Sequence, residues 1–216
     1  MSSFADLRRM MVDCQLRTYD VTDRAVLAAA DSVPRELFFP GDLAHLAHLA
    51  YLDQAVALPG TTRALPAPMV VARMIQALEL KAGERALEYA GGSGYGAALM
   101  AAMGAQASLC EPDAAALALA RVAFGQAGVP AVTLMAELPA KAQFDVVLVG
   151  GACEMQPSSL FGHVAPGGRL IAIEGLGRAA RVVLYRHAGD TLTGRPVFDA
   201  AAPALREFRK AEEFVF

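Results

Sequence analysis

Arg85-Ala86-Leu87-Glu88-Tyr89-Ala90-Gly91-Gly92-Ser93-Gly94-Tyr95-Gly96-Ala97-Ala98-Leu99-Met100 decides how this chain folds. Leu87 and Tyr89 suit a short buried strand. Gly91, Gly92 and Gly94 have no Cβ, so the backbone there can turn sharply and approach a ligand closely. Good helix formers follow from Tyr95 to Met103. In an open parallel sheet, ligands bind beyond the carboxyl ends of the strands. The turn at 90–94 is therefore the first candidate for a binding site.

Downstream of the turn, strand and helix patterns alternate. Residues 107–110 read as a strand ending at Glu111, and Pro112 is placed to open a helix over 114–127. Residues 131–135 and 144–151 read as further strands, the second apolar enough to be buried on both faces. A helix over 157–164 and Pro166-Gly167-Gly168 precede a strand over 169–174. Such alternation specifies a parallel sheet with right-handed crossovers. Residues 181–186 and 195–198 flank Gly189-Asp190 and read as an antiparallel hairpin, and 213–216 read as a last strand.

Upstream, residues 4–30 are helical in pattern, with caps offered between Asp20 and Asp23. Residues 35–41 form a short helical turn after Pro34. A helix over 42–51 carries His45 and His48, which read as helix-face residues because no third ligand accompanies them. Residues 52–68 look irregular, and 69–80 form a helix whose closing turn ends at Gly83. The fold class is α/β: a doubly wound, mostly parallel sheet with a C-terminal antiparallel hairpin. A helical extension over 1–60 precedes a core over 61–216.

Composition narrows the function classes. Of 216 residues, 55% are hydrophobic and 19% charged, with net charge −3, so no basic footprint for nucleic acid is present. The N-terminal residues are polar and charged, unlike a signal peptide, and no uncharged apolar run reaches membrane-spanning length. Cys14, Cys110 and Cys153 are odd in number and widely spaced, which suits reduced thiols in the cytoplasm and provides no metal-ligand spacing.

The ligand class follows from two acids. Glu111 ends the second strand, 23 residues after Glu88, where a carboxylate can accept from both hydroxyls of a ribose lying over the turn. Gly92-Ser93-Gly94-Tyr95-Gly96-Ala97 matches the dinucleotide pattern G-x-G-x-x-A. Three features oppose a dinucleotide. Glu88 would face an anionic pyrophosphate, the motif lies far from the N-terminus, and a hairpin replaces a second mononucleotide half. S-adenosylmethionine, which carries a sulfonium and an ammonium, suits an acid at Glu88 better.

On these residues the chain resembles the protein-L-isoaspartate O-methyltransferase family of Rossmann-like class I S-adenosylmethionine-dependent methyltransferases. The resemblance covers nearly the whole length. It is carried by Met11-Val12-Asp13, Gln15-Leu16-Arg17, Val33-Pro34-Arg35-Glu36, Phe39-Pro40, Ala50-Tyr51-Leu52-Asp53, Leu87-Glu88, Gly92-Ser93-Gly94-Tyr95, Phe144-Asp145 and Gly167-Gly168-Arg169-Leu170. It implies that Glu88, Ala90, Gly91, Gly92, Ser93, Gly94 and Tyr95 hold the amino-acid end of the cofactor, that Glu111 binds ribose, and that Glu137 meets the adenine amino group. The implied substrate is a protein or peptide bearing isoaspartyl residues, and the implied role is protein repair. No metal is implied.

Two departures from the family pattern stand out. Ala90 replaces a glycine, and a positive φ there is costly for alanine. Where the family reads Thr-Ile-Ser-x-Pro beside the reacting carboxylate, this chain reads Ala64-Leu65-Pro66-Ala67-Pro68. Pro66 has neither the hydroxyl nor a backbone donor, so no catalytic residue is assigned, and Leu65, Pro66 and Pro68 are the substrate-side candidates. The helices of residues 4–55 read as a lid over the turn. A methyltransferase with another acceptor and a non-catalytic S-adenosylmethionine-binding protein remain the alternatives, with the dinucleotide oxidoreductase behind them.

Overall fold

A computed structural model describes residues 3–188 and 191–210. Among these, β1 (Val56–Ala57) and β2 (Ala64–Leu65) pair as a small antiparallel hairpin. The main sheet contains β3 (Arg85–Tyr89), β4 (Gln106–Cys110), β5 (Thr133–Met135), β6 (Phe144–Cys153), β7 (Val164–Glu174), β8 (Arg181–Ala188) and β9 (Thr191–Asp199). Its order is β5-β4-β3-β6-β7-β8-β9. The first five of these in the sheet are parallel, and β8 and β9 close it as an antiparallel meander. From β3 the chain builds outward to β4 and β5, then returns to the other side of β3 with β6. That reversal opens a crevice beyond the carboxyl ends of β3 and β6, where ligands of such sheets sit.

The strands sort their side chains by alternation. Ala86, Val146, Leu148, Ile171 and Ile173 face one core, while Leu87, Val147, Val149, Leu170 and Ala172 face the other. The first core continues into α1 (Phe4–Met11), α2 (Arg24–Ser32), α3 (Pro68–Leu78) and α4 (Tyr95–Ala102) through Met11, Val26, Met74 and Met100. The helix α5 (Ala114–Gln126) packs Ala120 against Ala97 and Leu109. The N-terminal helices thus share a core with the sheet, and the β1–β2 hairpin straddles residues 60 and 61.

Arg169 explains its block of sequence structurally. Its Nε donates to the Leu78 carbonyl and Nη2 donates to the Glu79 carbonyl at 2.7 Å, satisfying the orphan end of α3, while Nη1 pairs with Glu84 at 2.7 Å. Glu79, in the left-handed region at φ 52°, ends that helix, four residues before the expected glycine. Other boundaries also differ from the sequence reading. Residues 41–49 and 158–163 are 3₁₀ rather than α-helical. His45 Nδ1 and His48 Nδ1 each bond a carbonyl three residues back, which ties them to their own turns. Asp113 rather than Pro112 starts α5, its carboxylate accepting from Ala115 and Ala116 amides. The strand expected over 213–216 lies outside the described residues.

Candidate active site

The glycine turn is buried on every side. Alternation along β3 puts Glu88 on the α4 face, where its Oε2 accepts from the Ala97 amide at 2.7 Å. A Cβ on Gly91 would stand 2.2 Å from the Glu88 carboxyl carbon, and one on Gly96 2.4 Å from its Oε1. Two glycines therefore make the recess that the carboxyl fills. It sits under the turn, against the amino end of α4, and is shielded from solvent. Burial pushes the Glu88 carboxyl up to about 8, against the pull of the Ala97 and Gly96 amides. The acid expected to face a cationic cofactor thus shapes the loop from below.

Ala90 occupies the left-handed region at φ 56°, the costly alternative for a residue with a Cβ. Its amide donates to the Cys110 carbonyl at 2.8 Å, which holds it there. Ser93 and Tyr95 turn away from the crevice. Ser93 Oγ donates to the Phe38 carbonyl at 2.6 Å, and the buried Tyr95 ring packs edge-on to Phe38 and beneath the Arg35 guanidinium. A Cβ on Gly94 would meet Phe124 and Leu109 at 2.7 and 2.9 Å. These residues anchor the turn to the helical layer.

Glu111 is fully buried at the end of β4. Its Oε2 accepts from the Gly92 amide at 2.7 Å, and its Oε1 accepts from the Asp113 amide at 2.9 Å and Arg63 Nε at 2.8 Å. Burial pushes its carboxyl up, opposed by Arg63 and by the two amides. Arg63 also grips Glu207 on the short 3₁₀ turn Arg206–Phe208, with Nη1 3.2 Å from Oε2. Burial lowers the Arg63 pKa, but the two carboxylates outweigh it and hold the guanidinium more firmly charged than usual. Arg63 and Glu207 lie 48 and 96 residues from Glu111 in sequence, and no local pattern signals either.

Beside Glu111 a cleft of about 290 Å³ opens between Tyr89, Cys110, Pro112, Ala136, Glu137, Leu138, Ser159, Leu160 and His163. Glu137 is exposed there, at the end of β5. Ser159, Leu160 and His163 come from the 3₁₀ turn after β6, and sequence spacing gave no reason to group them with the rest.

The β1–β2 hairpin covers the turn from above. A Cβ on Gly92 would meet Leu58 Cδ1 at 2.9 Å and Arg63 Cβ at 3.4 Å. Thr62 donates from both its amide and its hydroxyl to Asp113 Oδ2 at 2.7 Å. Burial works against the Asp113 carboxylate, but Thr62 and the amides of α5 outweigh it and hold it at about 2. The strand β2 leads to Pro66, whose carbonyl accepts from Arg35 Nη2 at 2.7 Å, and Arg35 Nε donates to the Ala50 carbonyl at 2.8 Å. Leu65, Pro66 and Pro68 are all buried. The hydroxyls of Thr61, Thr62 and Ser93 are each engaged elsewhere and do not stand in for the missing serine. Thr61 Oγ1 donates to the Leu58 carbonyl, Thr62 Oγ1 to Asp113 and Ser93 Oγ to Phe38.

The residues present fit S-adenosylmethionine. Glu111 Oε2, which keeps an open acceptor site beside the Gly92 amide, suits a ribose hydroxyl, and the cleft beside Tyr89 and Pro112 suits a flat base. Among the described residues no cluster of three or more His, Cys, Asp or Glu could hold a metal, and no helix is long and apolar enough to cross a membrane.

Comparison with known proteins identifies the family and the fold. Residues 8–197 match the family model described as Protein-L-isoaspartate(D-aspartate) O-methyltransferase (PCMT). Protein-L-isoaspartate O-methyltransferase 1 of Rhodopseudomonas palustris is 36% identical over 185 residues, covering 83% of this chain and 74% of that protein. The Roseiflexus castenholzii protein of the same name is 36% identical over 195 residues, covering 88% and 87%. In fold, the chain is similar to a solved protein-L-isoaspartate O-methyltransferase at TM-score 0.78 and 21% identity, covering 92% of this chain and 65% of that longer one. A Plasmodium falciparum structure named for the same enzyme, in complex with S-adenosyl-L-homocysteine, gives TM-score 0.73 at 18% identity, covering 96% and 100%.

Proposed function

We propose, because this chain belongs to the protein-L-isoaspartate O-methyltransferase family, that it transfers a methyl group from S-adenosylmethionine to the carboxylate of isoaspartyl residues in proteins. The observation that carries the reading is the buried Glu111 carboxylate. It is fixed by the Gly92 amide, between Cys110 and Pro112 of a cleft that Tyr89 and Glu137 also line. In this reading Glu111 holds the ribose, the cleft holds adenine with Glu137 at its rim, and the turn 90–94 holds the amino-acid end.

The cofactor, when bound, supplies an electrophilic sulfonium methyl group. An acceptor carboxylate is already ionised at neutral pH, with an ordinary pKa near 4, so no residue of the chain has a proton to remove. Its residues act by position and by excluding water. Arg35 ties the Ala50 and Pro66 carbonyls together and thereby fixes the acceptor loop relative to Tyr95 on α4. Leu58, packed against Gly92, keeps water from the turn. The three cysteines, none of them in a disulfide, support a reducing compartment such as the cytoplasm.

Calorimetric titration with S-adenosylhomocysteine, paired with methyl transfer to an isoaspartyl peptide, tests the proposal. Binding together with turnover supports it. Binding without turnover sinks the repair-enzyme reading in favour of an S-adenosylmethionine-binding protein or another acceptor, which the loss of the hydroxyl at Pro66 would explain. Preference for a nicotinamide dinucleotide would sink methyl transfer altogether.

A further inference from the structure

Glu111 lacks the free acceptor sites that a ribose needs. An ionised carboxylate offers about four lone-pair sites, two on each oxygen. Here Oε1 takes both Arg63 Nε and the Asp113 amide, and Oε2 takes the Gly92 amide. Vicinal hydroxyls donating one bond to each oxygen find a place on Oε2 and none on Oε1. The two amides are parts of the turn and of the approach to α5, so Arg63 is the partner that can leave. Its departure does not strand the guanidinium, because Nη1 and Nη2 already hold the partly exposed Glu207.

Resting on the cofactor assigned above, we propose that Arg63 is a positioning residue that competes with the cofactor's ribose for Glu111. Cofactor binding then releases one anchor of the hairpin that leads to Leu65 and Pro66. Arg63 thereby links occupancy of the ribose site to the placement of the acceptor loop. The side chain is 1% exposed, so water does not screen the competition. Thr62 on Asp113 and Leu58 on Gly92 remain as the hairpin's other anchors, so release of Arg63 shifts the hairpin without undocking it.

The competition separates affinity from stability. Arg63→Met keeps length but removes every donor. It should bind S-adenosylhomocysteine about tenfold more tightly while its ligand-free thermal midpoint falls, since Glu111 loses its charge partner. A merely structural arginine would lower both. In the unaltered protein, the Arg63 Nε–H should give a protected side-chain resonance in ¹⁵N spectra that loses its protection as S-adenosylhomocysteine is added. An unmoved, still protected resonance at saturation, or weaker binding by the Met variant, overturns the proposal. If the unaltered chain binds no S-adenosylhomocysteine and Arg63→Met does, Arg63 occludes the site as proposed. If neither binds, the cofactor assignment falls and this inference falls with it.

Discussion

Gly150 on β6 crosses directly behind Gly91: a Cβ at residue 150 would stand 2.5 Å from the Gly91 Cα and 2.6 Å from the Ala90 carbonyl oxygen. The obstacles are backbone atoms, which cannot rotate aside as a side chain can. The central pair of strands, β3 and β6, thus comes close enough to support the turn only because residue 150 has no side chain. Gly150→Ala should cost about 1–3 kcal/mol, the range for overpacking a full interior. It should also weaken S-adenosylhomocysteine binding, because the displaced atoms belong to the turn. Urea unfolding and calorimetry on the same sample check both effects, and unchanged binding at unchanged stability would refute the close approach.

Ala90 invites the opposite change. Its φ of 56° places a Cβ where L-residues are strained by about 1–2 kcal/mol. Glycine relieves the strain but adds about 0.4–1 kcal/mol of unfolded-state entropy. The net expectation for Ala90→Gly is a gain of roughly 0.5–1 kcal/mol, with an unchanged dependence on denaturant. A higher urea midpoint at the same slope would show it, and a lower midpoint would mean that the methyl group's packing outweighs the strain.

Stability should fall between about pH 5 and 8, a window set by an ordinary unfolded glutamate near 4.3 and a raised folded one. Glu88 is raised to about 8, and Glu111 is raised as well, both chiefly by burial. A raised carboxyl means that the folded state holds its proton after the unfolded state has lost it. Stability from this source is therefore complete below the unfolded pKa and is lost as pH rises through the folded one. Glu88→Gln should flatten the decline across this window, and thermal midpoints measured every half unit would display the difference. Equal slopes in the two proteins would place the titration elsewhere.

Much of this arrangement can be read from local chemistry. The strand, glycine turn and helix at 85–102, the acid at the end of β4, and the closing hairpin follow from alternation, helix-former runs and glycine placement, which depend on near neighbours. What could not be read depends on residues far apart in sequence. The strands β1 and β2 are two residues each and have no periodicity of their own; they exist because Leu58, Thr62 and Arg63 dock on the turn and on α5. Similarly, Arg63 and Glu207 look like solvated charges until the fold brings them to Glu111. Even Glu88, expected to face the cofactor, points under the turn, and its direction depends on where α4 packs. The 3₁₀ geometry of residues 41–49 has the same origin, since its amphipathic pattern does not separate three from 3.6 residues per turn.

Pro66 gives the most direct test of how chemistry was altered in this chain. Its carbonyl is held by Arg35, a contact that any residue at this position can keep, so Pro66→Ser leaves the loop's tether in place. What the substitution adds is a hydroxyl in a buried position that Thr61, Thr62 and Ser93 do not reach, each being bonded elsewhere. If acceptor placement limits the rate, one added hydrogen bond in the transition state, about 1.4 kcal/mol, should raise kcat/KM for an isoaspartyl peptide roughly tenfold. Because neither Glu111 nor the turn is touched, affinity for S-adenosylhomocysteine should stay within about twofold, a few tenths of a kcal/mol. Steady-state methylation kinetics and calorimetry separate the two readouts. An unchanged kcat/KM with intact cofactor binding would mean that this chain positions its acceptor by means that do not pass through residue 66.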